Sequence, residues 1–357
     1  MKTLRSALAY IPRPEHAIGI IITLIGSLLC MWIAKQVPSS LGLSSLTLAI
    51  LLGFILGNTI YPQQSSFTPG VGYTKGQVLR LAIMLYGFKL TFTQVANVGL
   101  PAIITDILTL SCTFLLACWL GMKIFKLDRD TTILIGAGSS ICGAAAVIAT
   151  EPVVKSEPYK VTIAVATVVV FGTIAMLVYP ALYRIGWLQP WLNPQDYGVY
   201  IGSTVHEVAQ VVVAGNAISP EVADTAVISK MIRVMLLAPF LLILSFVLSS
   251  NTNDANTNSQ ISFTQRLRQV QVPWFAFIFI GVVALHTWVP MSQEFVSNMV
   301  FADNLLLTMA MFALGLTTHI SAIKQAGIKP LILGVILFFW LIIGGGFINI
   351  LISNIFQ

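Results

Sequence analysis

The chain returns repeatedly to apolar runs about 20 residues long, the length a helix needs to cross the hydrocarbon core of a bilayer. Strands of a β-barrel would read as alternating segments of roughly 10 residues, which these runs are not. Hydrophobic residues make up 57% of the 357 positions and charged ones 9%, against roughly 25% charged in soluble domains. Such a chain cannot cover its surface in water. The expected fold class is an all-α polytopic membrane protein, with 1–357 forming a single integral membrane transport domain in the lipid bilayer. The formal net charge of +6 is scattered over short loops, which speaks for membrane orientation and against a nucleic-acid partner. Cys30, Cys112, Cys118 and Cys142 fall inside apolar runs without metal-ligand spacing, so neither disulfides nor zinc are expected. Lys2, Arg5 and Arg13 precede the first run, and Met31-Trp32 stands where a signal cleavage site would fall. That segment reads as a retained first span.

Apolar windows give about eleven candidate spans, near 17–34, 44–60, 76–95, 100–121, 133–150, 161–183, 197–214, 225–248, 272–288, 298–318 and 331–352. A polar linker at about 249–265 separates the eighth from the ninth. Gly53 and Gly57 make a G-x-x-x-G pattern that favours close helix contact. With the N-terminus inside, one side collects Lys2, Arg5, Arg13, Lys75, Arg80, Lys123, Lys126, Arg129, Arg184, Arg266, Arg268, Lys324 and Lys329. The other side receives Lys35, Lys155 and Lys160. The asymmetry places the N-terminus in the cytoplasm and the C-terminus in the periplasm.

One span is unlike the rest. Ile133–Thr150 reads ILIGAGSSICGAAAVIAT, with three glycines and two serines where uninterrupted apolar helix is expected. Glycine weakens a helix and lets backbone approach a ligand, and hydroxyls satisfy groups that a break sets free. An interrupted helix lining a solute site is one reading, and close packing through small residues is the other. Gly138–Thr150 resembles Gly202–Ala214, GSTVHEVAQVVVA, so a second Gly-Ser interruption is expected there. Consecutive spans put both interruptions in the same sense, whereas paired broken helices normally oppose; either one of the two is re-entrant or the match is fortuitous. A second similarity, Leu81–Leu100 with Met309–Ile328, aligns Gly87 with Gly315 and Gly99 with Gly327. These copies cross in opposite senses, which suggests an inverted repeat.

Ionisable residues at membrane depth are costly and are functional candidates by default. They are Lys89, Asp106, His206, Glu207, Lys230, Arg233 and His286. His206-Glu207 opens HEVAQ, but Gln210 stands where a metalloprotease needs its second histidine. Glu207 and Gln210 share a helix face with Ser203, so that face either lines a polar cavity or only fixes packing. Lys230 and Arg233 share a face and either neutralise an anion, snorkel, or pair with Glu207. Asp106 either pairs with Lys89 or carries a proton, and His286 reads as interfacial.

The blocks GAGSSICGAAAVIAT, HEVAQVVVAG, ISKMIRVMLLAP and LAIMLYGFKLTFTQVANVG resemble, in the same order, the sulfate exporter (YeiH-like) family of bacterial inner-membrane proteins. Ala145 takes the place of a serine common in that family. The resemblance implies membership of the bile-acid/arsenite/auxin carrier superfamily, an inverted-repeat fold with broken helices crossing at the site, and sulfate or a related sulfur oxyanion as substrate.

The expectation is a non-enzymatic secondary carrier, an exporter of sulfate, sulfite or a sulfonate. Its binding residues would be Ser139, Ser140, Ile141, Cys142, Gly143, Ser203, Thr204, His206, Gln210, Lys230 and Arg233. Free N–H groups near Ser139–Gly143 would receive the anion. His206, Glu207 and Asp106 would couple transport to protons. No cofactor is expected beyond a coupling H⁺ or Na⁺, and a second copy of the chain is a candidate partner. A sodium-coupled organic-anion carrier is the alternative; a passive channel and an intramembrane enzyme rank below it.

Overall fold

A computed structural model describes residues 12–36, 44–60, 66–250, 272–319 and 327–356. The linker at 249–265, and with it Arg266, Arg268, Lys2, Arg5 and Lys324, falls outside the residues whose side chains are described. The described residues are mostly helical, with no strand among them, six helices long and apolar enough to cross a membrane, and shorter apolar ones besides. The chain divides into two compact units.

The first unit comprises 1–97, 216–220 and 275–321. It contains α1 (Ala17–Gln36), α2 (Ser45–Thr59), α3 (Thr68–Tyr73), a π-helical turn (Thr74–Val78), α4 (Leu79–Tyr86), most of α13 (Trp274–Trp288), and α14 (Gln293–Thr317). Its tightest seam joins α2 to α14. A Cβ on Gly53 would meet the carbonyl of Phe312, one on Gly57 the backbone of Leu316, and one on Gly315 the backbone of Ile50 and Phe54. The G-x-x-x-G pair is therefore a backbone-to-backbone crossing. Inside this unit Lys89 Nζ pairs with Asp303 at 2.7 Å and donates to Asn304 Oδ1 at 2.8 Å, above the ring of Tyr86. Lys89, for which a pair with Asp106 was one reading, is thus paired inside its own unit. Asp303, fully buried on α14, is the partner, and its place in an apolar run had hidden it. His286 Nδ1 lies 3.0 Å from the Leu90 carbonyl, where the chain leaves α4.

The second unit comprises 98–215, 221–274 and 322–357. It begins inside α5 (Phe92–Trp119), where Gly99 has φ +29 and interrupts the helix. It continues with α6 (Arg129–Ser140), α7 (Ala144–Val154), α8 (Pro158–Arg184), α9 (Pro194–Thr204), α10 (Val208–Asn216), α11 (Pro220–Met235), α12 (Leu237–Ser250) and α15 (Ile328–Phe356). The stretch around Ser139-Ser140 is thus two short helices, and so is the stretch around Ser203-Thr204.

Contacts fix the direction of each piece. Lys160 Nζ at the start of α8 reaches Asp128 at 3.0 Å and Asp130 at 3.4 Å, both at the start of α6. Further along, Gly138 of α6 lies against Val168 of α8. So α6 and α8 run the same way. Gly138 also lies against Val147 of α7, and Leu134, Ile135, Val147, Ala164 and Val168 share one apolar cluster. Hence α7 folds back along α6, and residues 129–154 form a re-entrant hairpin, not a crossing.

The second interruption obeys the same logic from the other end. Gly198 and Gly202 of α9 pack on Thr225 and on Ala226 and Ser229 of α11, in parallel register. Gly215, at the end of α10, abuts the backbone of Ala223 near the start of α11. Thus α10 returns to the end from which α9 set out. The long helix α15 relates the two hairpins. Leu333 and Leu337 join the cluster of Ala164 and Val168, and Phe338 lies 6.0 Å from Phe171, so α15 runs with α8. It runs against α9, because Ser353 Oγ donates to Asp196 at 2.8 Å and Asn349 Nδ2 to Ser203 Oγ at 3.1 Å. The α6–α7 hairpin therefore enters from one face of the unit and the α9–α10 hairpin from the opposite face.

The apolar windows gave 133–150 and 197–214 as spans of one sense; each instead folds back as two short helices, and the two hairpins oppose each other. Loss of both spans together leaves the parity of the crossings unchanged. It moves Lys155 and Lys160 to the same face as Lys123, Lys126 and Arg129, and moves Arg184 to the other.

Candidate functional site

The two hairpins turn where their sequences cannot continue a helix. Ile141 closes α6 with φ −121 and ψ −84, and Gly143 follows with φ +68 and ψ −135, a region open to glycine and strained for any other residue. A Cβ at Gly143 would also stand 2.6 Å from Cγ of Glu207, so the tips touch. Val205 leaves α9 in extended conformation, and Gln210 Oε1 accepts the Glu207 N–H at 3.0 Å to set the return turn.

A helix end frees carbonyls that need donors. Here α11 supplies them. Lys230 Nζ donates to Ile141 O at 2.8 Å and to Val205 O at 2.6 Å, one carbonyl from each hairpin tip. Arg233 Nε donates to Ser140 O at 2.7 Å. Both cations are fully buried, so neither snorkels. Burial of a charge is costly unless it is matched; the match comes from these carbonyls at helix C-termini and from Asp106 on α5, which lies within electrostatic reach of both cations. Asp106 Oδ2 accepts from Ser229 Oγ at 3.3 Å.

Several buried polar atoms around the tips have no hydrogen-bond partner among the described residues. They are Arg233 Nη1 and Nη2, Asp106 Oδ1, His206 Nδ1 and Gln210 Nε2. An unmade hydrogen bond on a buried charged group costs about 1–3 kcal/mol or more. Those of Arg233 and Asp106 lie close to the two tips, and the Gln210 amide lies against Gly172 of α8.

Ser140, Ile141, Cys142, Gly143, His206, Glu207, Gln210, Lys230 and Arg233 thus gather at the tips with Asp106. Ser139 is buried in the last turn of α6. Ser203 and Thr204 turn away: both hydroxyls donate to Tyr200 O, Ser203 accepts from Asn349 of α15, and Thr204 packs on Gly345. Of the amides expected to be free near Ser139–Gly143, those of Ile141 and Gly143 are not. Ile141 N–H bonds Ala137 O at 3.1 Å and Gly143 N–H bonds Gly138 O at 2.9 Å. Because the chain reverses there, α6 offers its carbonyl end to the site, and the first-turn amides belong to α7. Asn349, which ties α15 to α9, was missed; an asparagine within the apolar run 331–352 was the signal for it.

A model of the family described as conserved hypothetical protein 698 matches residues 18–334. The chain is 56% identical over 315 residues to the UPF0324 inner membrane protein YeiH of Escherichia coli K12, covering 88% of this chain and 87% of that protein. The protein of the same name from Salmonella typhimurium is 55% identical, with the same coverage. A UPF0324 membrane protein of Pasteurella multocida is 53% identical over 88% of this chain and 90% of its own length. Among solved structures, the sodium proton antiporter MjNhaP1 of Methanocaldococcus jannaschii overlaps 91% of this chain and 99% of its own, at 14% identity and a TM-score of 0.29. An overlap that loose carries no argument.

Proposed function

The chain belongs to the family described as conserved hypothetical protein 698, and we propose that it is a secondary carrier of the bacterial inner membrane that moves a small oxyanion by alternating access. The observation that carries this reading is Arg233. Its guanidinium is fully buried, its Nε is committed to Ser140 O, and Nη1 and Nη2 are left without partners. Two parallel N–H donors in a planar fork match the oxygens of an oxyanion. Gln210 Nε2 offers a further donor. Lys230 acts differently, tying the two tips together.

Sulfate, sulfite and sulfonates are the substrate class we favour, with export as the direction. Lys123, Lys126, Arg129, Lys155, Lys160 and Lys329 stand toward the face at which α6, α8 and α15 begin, against Arg184 at the other. That bias makes it the cytoplasmic face, with the N-terminus inside and the C-terminus in the periplasm. An inverted repeat fits the matched glycines: Gly99 and Gly327 both have positive φ, and Gly87 and Gly315 both sit at close helix contacts.

The sodium-coupled alternative needs open carbonyls near the first tip. Those of Ser140 and Ile141 already accept from Arg233 and Lys230, which favours the oxyanion. Flux into proteoliposomes tests the reading. Radiolabelled sulfate, sulfite or a sulfonate should move without sodium, and Arg233→Lys should slow it at least tenfold. Sodium-dependent flux, or no oxyanion flux at all, would reverse the conclusion.

A further inference from the structure

Asp106 is a buried carboxylate facing two buried cations, yet it is only half used. Oδ2 takes a long hydrogen bond from Ser229, and Oδ1 takes none. Among the described residues it forms no ion pair within 4.0 Å, so it offsets part of the charge of Lys230 and Arg233 without consuming the guanidinium donors. The charged and titratable groups around this cluster come from every element packed on it. Ser229 of α11 donates to Asp106, and Lys230 and Arg233 lie within electrostatic reach of it; Cys142 at the first tip and Tyr179 of α8 lie within reach of Arg233, His206 of both cations, and Glu207 of Lys230.

From this geometry, and resting on the oxyanion reading above, we propose that Asp106 is the resident stand-in for the transported anion and that anion binding drives a proton onto it. With the site empty, the Asp106 and Glu207 carboxylates together supply the two negative charges that the two buried cations require. An oxyanion seated on Nη1 and Nη2 of Arg233 brings a third negative charge into the same desolvated space. Three negative charges against two cations cannot all persist there. The Asp106 carboxylate yields: one proton from water adds to its Oδ1, the oxygen without a donor, giving a neutral carboxylic acid. No bond to the anion forms or breaks, and the proton leaves when the anion does. The protonated Oδ1 is then a hydrogen-bond donor in place of an acceptor. Transport is thereby coupled as one proton moving with each anion, without a separate proton pathway.

The test is binding-linked proton uptake by the purified full chain, read with a pH dye in weak buffer. Sulfate and methanesulfonate serve as probes, since neither titrates near neutrality and any proton must go to the protein. Binding is measured in parallel by heat stabilisation. The wild type should take up about one proton per anion, and affinity should weaken by up to about tenfold per pH unit above the titration of Asp106. Asp106→Asn, a neutral mimic of the protonated state, should bind both probes with pH-independent affinity and no proton uptake. Should that variant not fold, Ser229→Ala gives the second readout: losing the donor to Oδ2 should move the onset of uptake to higher pH. Anion binding without proton uptake in the wild type overturns the coupling and leaves the oxyanion carrier standing. Unchanged uptake in Asp106→Asn, or an unmoved onset in Ser229→Ala, also overturns it. Failure of the wild type to bind either probe removes the oxyanion reading and the coupling with it.

Discussion

Lys230 and Arg233 stand one turn apart on α11, are equally buried, and play different parts. Lys230 commits its ammonium to two carbonyls that no intrahelical donor reaches, one on each hairpin. Lys230→Ala leaves both without that donor, at about 1–3 kcal/mol for each unsatisfied buried group. The expected result is a melting temperature several degrees lower in detergent, whether or not substrate is present; an unchanged melting temperature would show that the tips hold without it. Arg233 keeps two donors open, so its conservative variant should separate binding from folding. Asp303 extends the residue-level picture to the first unit. It takes the Lys89 ammonium at 2.7 Å, with Asp303 fully buried and Lys89 partly so, and removing one partner of a buried pair typically costs about 3–5 kcal/mol. Asp303→Ala should therefore fold poorly in membranes, while Lys89→Met with Asp303→Leu together should restore yield. A single variant that expresses and melts as the wild type does would contradict a structural role for the pair.

Among the elements, the hairpins are where sequence and structure part. The interruptions were legible because Gly138, Ser139, Ser140 and Gly143, and again Gly202, Ser203 and Thr204, break the apolar run in both places. The reversal was not. A hydropathy window sums residues without regard to direction, and α6 plus α7 together are as long as a crossing helix. The misfit was visible only as Lys155 and Lys160 on the wrong side of the charge tally. Asp303 escaped for a related reason, since one carboxylate barely lowers an otherwise apolar window. Gly143 holds the first reversal. Gly143→Ala places a side chain in a strained backbone region, at about 1–3 kcal/mol, and against Glu207 Cγ; loss of anion stabilisation with α-helical content retained is the expected circular-dichroism and melting outcome. The hairpin base is held by Asp128, which caps α6 through Thr131 and meets Lys160. Partial burial alone would raise its carboxyl, but the bonds from Thr131 and the Lys160 ammonium outweigh it and hold the carboxyl below its usual value. A carboxyl lower in the folded than in the unfolded state contributes stability above its unfolded titration range, and that contribution disappears as pH falls through the folded value. Asp128→Asn should thus cost stability at neutral pH and nothing at strongly acidic pH, as measured by melting across pH. A deficit that persists in acid would point to the cap geometry and not the charge.

For the whole molecule, the consequence of two opposed re-entrant hairpins is topological. In a background lacking the four native cysteines, Lys126→Cys and Glu157→Cys, both at exposed positions, should label from the same side of the membrane, and Gln189→Cys from the other. Eleven full crossings would instead separate positions 126 and 157. The helical membrane class and the glycine seams were readable from residue type and spacing. The junction of the two tips was not, because Lys230 acts across 89 positions to Ile141 and 25 to Val205, and no local pattern encodes such a reach. The same tertiary placement buries Arg233 with two donors open, which is what the proposed oxyanion site rests on. The decisive measurement is anion-dependent heat stabilisation of the purified protein, wild type against Arg233→Lys, over sulfate, sulfite and methanesulfonate. The wild type should be stabilised by at least one of them with saturating dependence, and Arg233→Lys should melt at a similar temperature without anion yet need at least tenfold more anion for the same shift. Equal stabilisation of both proteins, or of neither, would contradict an oxyanion site at the open fork of Arg233.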